Sequence, residues 1–403
     1  MSRVTYADGA GLAGGRRLRI CLVLEAAGGG AGRHVLDLAA GLTVRGHAVE
    51  LFYSPVRAER IFLDQLAALP ICAVEFDMRR SIGLHDFTAA WRLKRLIAER
   101  GPFDILHAHS SKAGAVLRLA AHRSGAIVYT PHAFRALDPS TSGLRRLVLS
   151  GAESVLGMLN TDALIAVSLS ELEHARQIGL AESKLHLIRN SVVNFHAAGR
   201  EAARAALALP DDALVAGFIG RLSYQKAPER FVQAMSLAMA RDGRIHAVLI
   251  GDGEKREEVA ALAAASPHAD RFHLLGAVPG VDYIRAFDVM VMTSRYEALS
   301  YVTLEAVAAG LPLITTRVAG AVDVVLDGES GLILDSDMPE AIAGAVGDVL
   351  LSPQRMASMA AAARLQNGRL NGDLMIVEVE RLYQRLAGAV APADFTASGS
   401  ESR

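Results

Sequence analysis

Short apolar runs alternate with helical patterns along most of the chain, and this rhythm constrains the fold more than any other feature. Between the apolar runs lie windows with apolar residues near i, i+3, i+4 and i+7. Such alternation predicts parallel sheets covered by helices on both faces, and two consecutive series of runs predict two doubly wound α/β domains. The first series is 19–25, 48–54, 104–109, 126–130 and 163–168, the second is 214–220, 246–252, 272–276, 289–294, 311–316 and 331–335, and the clearest helical windows are 31–45, 227–240, 254–265 and 338–351.

Domain boundaries follow from where this rhythm breaks. A chain of 403 residues is too long for one ordinary core, and the strand pattern is interrupted near residues 190–210. We predict two Rossmann-like domains, 1–195 and 196–375, facing each other across a cleft. Residues 376–403 are predicted to form a helix that packs back on the first domain, followed by a mobile tail. Ligands of open α/β sheets bind at the carboxyl ends of the strands, so function is expected in the strand-to-helix loops facing the cleft.

Composition narrows the class of protein. The two cysteines, Cys21 and Cys72, lie in apolar runs without metal-ligand spacing, which favours a reducing, cytoplasmic setting. No apolar h-region precedes Arg16, and no run approaches the roughly 20 apolar residues of a membrane span. Residues 1–190 carry a net charge of +6 and the remainder −7. The basic half could attract anionic lipid or polyanionic substrates, or it could be a solvated arginine-rich surface. Its cations are scattered without an aromatic platform, so no nucleic-acid partner is predicted.

The first informative loop is AAGGGAGRH at 26–34, between a strand and a helix. Gly28, Gly29 and Gly30 allow close approach of the backbone to a ligand, and the following helix N-terminus favours an anion. A dinucleotide fingerprint does not fit, because a G-x-G-x-x-G frame from Gly28 ends on Arg33, and a frame from Gly29 fails at Ala31.

Charged residues stand in two loops of the second half. Arg221 and Lys226, in GRLSYQK, could together neutralise a diphosphate, or could be two solvated charges. In SRYEALSYVTLE, Glu297 is predicted at the loop mouth. Glu305 is predicted in the first turn of a helix starting near Thr303, where the helix dipole or a ligand's hydroxyl groups could stabilise it. The backbone N–H groups of Ala298, Leu299 and Ser300 could bind phosphate or sugar oxygens.

Taken together, these loops resemble glycosyltransferase family 4, the retaining, nucleotide-sugar-dependent enzymes of the GT-B fold. The resemblance rests on Gly220-Arg221 with Lys226, on Gly251-Asp252-Gly253, on Glu297 and Glu305 eight positions apart, and on Gly310-Leu311-Pro312. VAGAVDVVLDGESGLIL at 318–334 is similar to a further segment of the family, and the order of motifs agrees from about residue 19 to 388.

The resemblance implies a role for each matching residue of the second domain. Arg221 and Lys226 would bind the donor diphosphate, Glu305 the ribose hydroxyls and Glu297 the transferred sugar. The donor-binding set is completed by Gly251, Gly276, Ala298, Leu299 and Ser300. The chain departs from the family's usual E-G-F-G after Glu297, and Asp323 stands where glutamate is usual, which bears on sugar specificity.

In the first domain, HAHSSKAG at 107–114 and YTPHAF at 129–134 resemble family members that build bacterial surface polysaccharides. The resemblance places His132 beside the transferred sugar or the acceptor, and makes it a catalytic candidate with Glu297, Arg221 and Lys226. His109, Ser110 and Lys112 are predicted to line the acceptor side.

No metal and no cofactor are predicted. His107 and His109 are two residues apart on a strand and could both bind a metal, but the sequence offers no evident third ligand. The acidic stretch DSD at 335–337 is interpreted as a capping box, with Asp337 as N-cap and Glu340 three residues later, and not as a metal motif.

The resulting functional hypothesis is a retaining glycosyltransferase. It would move a sugar from a UDP- or GDP-linked donor to a saccharide or lipid-linked saccharide in cell-envelope or exopolysaccharide synthesis, in the cytoplasm or at the inner face of the cytoplasmic membrane. The stretch 144–160, with Arg145 and Arg146 beside an apolar face, could lie on a membrane or be a buried helix. A GT-B sugar-nucleotide epimerase and a non-catalytic nucleotide-sugar-binding subunit are the alternatives.

Overall fold

A computed structural model describes residues 15–79, 81, 83–120, 125–138, 141–193, 195–367 and 372–389. In these residues strands β1 to β13 are Arg19–Leu24, Ala48–Tyr53, Cys72–Glu75, Ile105–His109, Ala126–Thr130, Ala163–Ala166, Leu185–Leu187, Leu214–Ile219, Ile245–Ile250, Phe272–Gly276, Val289–Met292, Leu313–Thr316 and Gly331–Leu334. Helices α1 to α14 are Gly29–Val44, Arg60–Leu66, His85–Arg100, Ser111–Ala120, Gly143–Leu159, Leu169–Gln177, Arg200–Ala206, Pro228–Met239, Arg256–Ala264, Tyr301–Ala308, Ala321–Val324, Pro339–Leu350, Pro353–Asn367 and Gly372–Ala389.

The strands form two sheets whose pairings are all parallel, as the alternating pattern predicted. The first sheet has the order β3-β2-β1-β4-β5-β6-β7, and the second has the order β10-β9-β8-β11-β12-β13. The predicted α/β class with two doubly wound Rossmann-like sheets is therefore confirmed. Every run of the two predicted series became a strand. Strands β3 and β7 lie outside the two series; both are short edge strands, and β3, which begins in the apolar run around Cys72, is largely exposed.

Each sheet is covered on both faces, which explains its apolar strands. One face of the first sheet packs on α1 and α14 through residues such as Leu22, Leu38 and Val379, and the other face packs on α3 and α4. The second sheet packs on α8 and α12 on one side, and on α7 and the segment before β11 on the other. Burial on both faces removes the polar–apolar alternation of half-exposed strands.

The last described helix, α14, packs on the first sheet's domain. Its Ile376 lies against Gly41 of α1, where an added Cβ would come within 2.3 Å of the isoleucine side chain. The Glu380 carboxylate accepts hydrogen bonds from Arg45 at 2.5 Å and His47 at 3.0 Å, and the Tyr383 hydroxyl contacts His107. The chain therefore returns to its first domain after completing the second.

The two domains also meet directly beside the cleft. Val167 of the first domain packs against Leu299, Leu304 and Val307 of the second. The carboxylate of Asp323 accepts from Arg189 at 2.8 Å and from the Leu169 N–H at 3.1 Å, with its side chain fully buried. The aspartate that departs from the family's glutamate is thus an interdomain contact.

The predicted capping box at α12 is wrong. The N-cap of α12 is Met338, without a side-chain cap bond, and the Asp337 carboxylate instead forms an ion pair with Arg230 at 2.5 Å. The Asp337 carboxylate pairs with a cation on α8 and therefore does not accept hydrogen bonds from the backbone N–H groups at the start of α12.

We expect Ile376→Ala to lower the free energy of unfolding by about 2–4 kcal/mol, because the truncation leaves a cavity against Gly41. Leu374→Ala on the same helix removes a side chain that is 48% exposed and serves as the matched control. Urea unfolding followed by circular dichroism measures both. Equal losses in the two variants would contradict the packing of α14 on α1.

Candidate active site

The glycine loop lies at the start of α1 and faces a cation from the other domain. Gly28 is the N-cap, and the Gly29 N–H donates to the Glu59 carboxylate at 3.0 Å. The other oxygen of Glu59 pairs with the Arg221 guanidinium. A Cβ added to Gly28 would lie 2.4 Å from the Glu59 side chain, so only glycine leaves room for this carboxylate. An anion thus already sits between the helix N-terminus and Arg221.

Lys226 and Glu297 form a nearly buried ion pair. The Lys226 ammonium lies 2.6 Å from the Glu297 carboxylate and 3.4 Å from the Ser300 hydroxyl, and the two charged side chains are 16% and 9% exposed. The Ser294 hydroxyl donates to the same carboxylate at 3.1 Å. The sequence placed these two charges in separate loops, and the fold brings them together at the carboxyl ends of β8 and β11.

Glu305 does not stand in the first helical turn as predicted. Helix α10 begins at Tyr301 after the N-cap Ser300, so Glu305 is its fifth residue, and the dipole explanation fails. Burial raises the pKa of Glu305, and the Arg33 guanidinium, 3.9 Å away, opposes that rise. This acid faces the first turns of α1, in which a Cβ on Gly30 would lie 3.6 Å from the Tyr301 ring.

Glycines let the loops of the second domain pack closely. A Cβ on Gly251, whose φ is +146°, would come within 1.8 Å of the Gly220 carbonyl oxygen, so Gly251 fixes the turn that carries Arg221. Gly276 at the end of the neighbouring strand has open space around its Cβ position. A Cβ on Gly320, at φ +67°, would meet the Ala298 carbonyl oxygen at 1.6 Å, which holds the turn from Ala298 to Ser300 in place.

Four histidines, of which three are buried and His132 is half-buried, form a cluster in the first domain. His107 and His109 end β4, His132 follows β5, and His34 comes from α1. The ring centroids are 3.9 Å apart for His107–His109 and 4.6 Å for His34–His132, and the His109 Nδ1 lies 3.1 Å from the His132 Nε2.

The backbone around this cluster is strained. His132 has a φ of +50°, its neighbour Ala133 +81° and Ser110 +89°. Such conformations are rare outside glycine and cluster at functional sites. The buried Glu171 carboxylate accepts from the Ala133 N–H at 2.5 Å and the Val167 N–H at 2.9 Å, which stabilises the turn.

The hydrogen-bond network fixes the proton on His34. The Asn190 amide nitrogen donates to the Leu299 carbonyl at 3.0 Å, so its Oδ1 faces the His34 Nδ1 at 3.0 Å and can only accept. The Nδ1 therefore carries the hydrogen, and the Nε2 of neutral His34 is a bare lone pair. Burial lowers the pKa of His34 to about 4, and it lowers the pKa of His107, His109 and His132 well below the usual value.

Two of the residues predicted on the acceptor side, His109 and Lys112, have buried side chains. His109 is fully buried behind His132. Lys112 is buried as well, because its ammonium pairs with Asp86 and donates to the Ser81 carbonyl at 2.5 Å. Ser110 is half-buried, and its hydroxyl accepts from the Ala113 N–H at 3.3 Å at the start of α4.

His107 has no ring nitrogen free to bind a metal together with His109. Both nitrogens of His107 have partners, the Tyr383 hydroxyl at 2.5 Å and the Thr130 hydroxyl at 2.8 Å. Among the residues that the structure describes, His34, His109 and His132 instead offer one ring nitrogen each within 4.8 Å of one another.

Several site residues were missed by sequence reasoning. Arg33 and His34 follow the glycine loop directly, and helical spacing from Gly30 would have pointed to His34. Glu59 and Asn190 had no recognisable signal, because they reach the site through tertiary packing across 30 and 156 residues.

The fold and this site define the class: two parallel-sheet domains with a glycine loop opposite Arg221, Lys226 and two acids are the arrangement of a GT-B glycosyltransferase. The family model "Glycosyltransferase Family 4" matches residues 28–193, and "Glycosyl transferases group 1" matches residues 199–366. The chain belongs to glycosyltransferase family 4 and is a glycosyltransferase.

Relatives and solved structures agree with this assignment. A D-inositol 3-phosphate glycosyltransferase of Streptomyces scabiei is 30% identical over 322 residues, covering 74% of this chain and 71% of its own. The enzyme of the same name from Acidothermus cellulolyticus is 28% identical over 392 residues, covering 88% and 85%. The fold is similar to that of Anabaena Alr3699/HepE in complex with UDP and glucose, with a TM-score of 0.78, 19% identity and coverage of 92% and 100%. Sucrose-phosphate synthase from Thermosynechococcus elongatus has a TM-score of 0.76, 20% identity and coverage of 93% and 100%.

We expect the free energy of unfolding to decrease as the pH falls from 6.5 towards 4. The unfolded His34 titrates near 6.5 and the folded one at about 4, so in that window the unfolded chain binds more protons. The stability is fully present above pH 6.5, and its loss by pH 4 amounts to about 3 kcal/mol for this residue.

Denaturant unfolding at a series of pH values measures this slope. His34→Gln, which keeps a donor towards Asn190, should flatten the profile, whereas His196→Gln, at an exposed position, should not. An unchanged slope in His34→Gln would mean that His34 is protonated in the folded protein.

Proposed function

We propose that this protein transfers a sugar from a UDP- or GDP-linked nucleotide sugar to a saccharide or lipid-linked saccharide, with retention of the anomeric configuration. The donor assignment is carried by two neighbouring contacts: Arg221 lies against Gly29 at the start of α1, and the Lys226–Glu297 pair contacts Ser300, whose neighbour Tyr301 lies against Gly30. Two cations beside a helix N-terminus suit a diphosphate, because the guanidinium, the ammonium and the backbone amides all oppose its negative charge.

The roles of the individual groups follow from their neighbours. Arg221 and Lys226 would bind the diphosphate and stabilise the charge that develops on it as the glycosidic bond breaks. Glu297, held by Lys226 and Ser294, would accept hydrogen bonds from the transferred sugar, and Glu305 would accept them from the ribose. Fixed cations make a metal ion unnecessary at the diphosphate, so we propose that transfer proceeds without a metal or other cofactor.

His132 is the first-domain residue best placed for the acceptor. It is half-buried, whereas the other three histidines of the cluster are buried, and it lies on a strained turn. Because burial keeps it neutral, it can accept a hydrogen bond from a hydroxyl group. Retention is proposed from the family, as a same-face displacement in which the leaving phosphate assists removal of the acceptor proton. Closure of the domains would exclude water.

The acceptor is proposed to be an uncharged saccharide rather than a phosphorylated cyclitol such as the named relatives' inositol 3-phosphate. An acceptor phosphate requires an available cation in the first domain. The cation that the sequence placed there, Lys112, is buried against Asp86 and cannot serve. This observation favours a role in cell-envelope or exopolysaccharide synthesis.

Helix α5 supports a membrane-bound acceptor. Its apolar side chains form one stripe along the helix and are 49–77% exposed: Leu144, Leu147, Val148, Val155, Met158 and Leu159. The reading as a buried helix is thereby excluded. Arg145 flanks the stripe and Arg146 lies further round the helix; both are exposed, and no carboxylate in the described part of the chain pairs with either. An apolar stripe with adjacent cations suits an anionic lipid surface, so we propose that the protein acts at the cytoplasmic face of the membrane. None of the described helices is long and apolar enough to cross a bilayer.

The function is tested by incubating the chain with a panel of nucleotide sugars, with and without acceptors that include neutral saccharides and inositol 3-phosphate. Release of nucleoside diphosphate that depends on a neutral acceptor supports the proposal. An altered sugar nucleotide formed from the donor alone would indicate an epimerase, and donor binding without turnover would indicate a binding subunit. Chelator should leave transfer unchanged.

Lys226→Ala is expected to lower kcat at least about 100-fold, the usual order for removing a group that stabilises transition-state charge. It also leaves Glu297 without its cation. Lys94→Ala, on an exposed face of α3, is the control and should keep full activity. Steady-state kinetics with the best donor, and melting temperatures for both variants, decide the result. Full activity in Lys226→Ala would remove the lysine from the site.

Glu59→Gln is expected to lower the dissociation constant of nucleoside diphosphate severalfold. The Glu59 carboxylate occupies the Gly29 N–H and Arg221, and a diphosphate must displace it before it can bind there. Glu75→Gln, also in the first domain but hydrogen-bonded to Tyr53, is the control. Calorimetric titration with UDP and GDP measures the effect. Weaker binding in Glu59→Gln would show that this acid supports the ligand instead.

Leu147→Glu should reduce flotation of the chain with liposomes containing anionic lipid, because it places a charge in the exposed stripe of α5. Leu365→Glu, equally exposed on α13 of the second domain, should not. The comparison uses vesicles with and without phosphatidylglycerol. Equal flotation of both variants would assign α5 another partner.

A further inference from the structure

We propose that His34, His109 and His132 form a binding site for one divalent transition-metal ion of the zinc type. The three imidazoles come from three elements, α1, the end of β4 and the turn after β5, and each offers a ring nitrogen within 4.8 Å of the other two. This histidine site is separate from the proposed diphosphate site. The proposed transfer reaction itself uses no metal.

The first support is the bare nitrogen of His34. Its Nδ1 hydrogen is fixed on the Asn190 carbonyl oxygen, so its Nε2 presents a lone pair. That nitrogen is buried and has no hydrogen-bond partner among the described residues. An acceptor buried without a donor costs about 1–3 kcal/mol, and a metal ion would remove this penalty.

The second support is the contact between His109 and His132. The His109 Nδ1 and the His132 Nε2 are 3.1 Å apart, and the His109 Nε2 is a further buried nitrogen without a partner in the described residues. Nitrogens bound to tetrahedral zinc at about 2.1 Å are about 3.4 Å apart, so this pair already has the required separation. A shift of at most about 1.4 Å by the His34 ring, the difference between 4.8 Å and 3.4 Å, would complete the set, which is within the range of a side-chain rotation.

The surroundings suit an imidazole-bound metal. Three neutral imidazoles prefer zinc and similar ions over magnesium or calcium, which select oxygen ligands. The Asn190 carbonyl, which accepts from the far nitrogen of His34, is the outer contact that orients a metal-binding histidine. His132 is half-buried, so water can reach this side of the cluster and take the fourth position. On binding, the hydrogen shared by His109 and His132 moves to the far nitrogen of its own ring, and no proton leaves the cluster.

The site also has a consequence for activity, which rests on the proposed function. A metal ion bound to the His132 Nε2 leaves the ring hydrogen on Nδ1, so neither nitrogen of His132 can then accept a hydrogen bond from the acceptor hydroxyl. Zinc should therefore inhibit transfer, and chelator should restore it. Transfer itself remains independent of metal, so a failure of zinc binding and a failure of the proposed reaction are distinguishable.

The test is calorimetric titration of the metal-free chain with Zn²⁺, together with the melting temperature. We expect one ion per chain and a raised melting temperature, because an ion bound only by the folded state stabilises it. His34→Gln and His132→Gln should each weaken binding at least about tenfold, since even the loss of an outer contact to a metal-bound histidine costs that much. The wild-type chain with Co²⁺ should show the visible absorption of a tetrahedral site. This measurement uses only the wild-type chain, so it remains informative even if the variants fail to fold.

Three controls separate this site from other zinc ligands. His246 and His273 form a similar contact, Nδ1 to Nε2 at 3.2 Å, without a third ligand among the described residues, so His273→Ala should keep the affinity. Cys72→Ser and His196→Ala, at exposed positions, should also keep it. The proposal is overturned if the wild-type chain shows neither heat, stabilisation nor a cobalt spectrum. It is equally overturned if His34→Gln and His132→Gln fold and still bind one ion with unchanged affinity.

Discussion

The rest of the site depends on the contacts made by residues in the first two turns of α1. Gly29 reaches Arg221 through Glu59, Gly30 faces Tyr301, Arg33 faces Glu305, and His34 joins the histidine cluster. A helix that begins at the carboxyl end of the first sheet presents these groups on one side, because Gly29 and Arg33, like Gly30 and His34, are four residues apart. The donor-side charges of the second domain and the histidines of the first are therefore held by the same short segment, and a change in domain closure must affect both.

Close packing between loops gives these charges their positions. The turn with Arg221 is fixed because Gly251 lies against the Gly220 carbonyl, and the turn from Ala298 to Ser300 is fixed because Gly320 lies against the Ala298 carbonyl. The loss of glycines after Glu297 is therefore balanced by a glycine elsewhere in the chain. The turn after Glu297 can therefore have the sequence Ala298-Leu299-Ser300 in place of the family's G-F-G, because packing against Gly320, and not glycine flexibility within the turn, determines its shape. A side chain at Gly320 would displace the backbone beside both acids.

Local and global features of this chain were predictable to different degrees. Buried strands flanked by turn residues were readable because burial on both faces leaves a continuous apolar run, as at Ala126–Thr130. The paired loops at Arg221, Lys226 and Glu297 were readable because the fold forces the carboxyl ends of parallel strands together. The partners of these charges were not readable. Whether Lys112 faces the cleft or pairs with Asp86, and whether Asp337 caps a helix or pairs with Arg230, depends on side chains from elements distant in sequence.

The interdomain hydrogen bonds link the chemistry of the two halves. Asn190 donates to the Leu299 carbonyl in the donor loop and accepts from His34 in the histidine cluster, and it lies in the segment that joins the domains. If the domains separate, the amide loses the carbonyl that fixes its orientation, and the His34 Nδ1 loses its defined acceptor. The bare lone pair on the other nitrogen of His34 is thus a property of the closed arrangement. The same movement separates Glu59 from Arg221 and exposes the anion site at the N-terminus of α1. In the proposed reaction, opening would admit the donor, and closing would set the protonation pattern beside which the acceptor reacts.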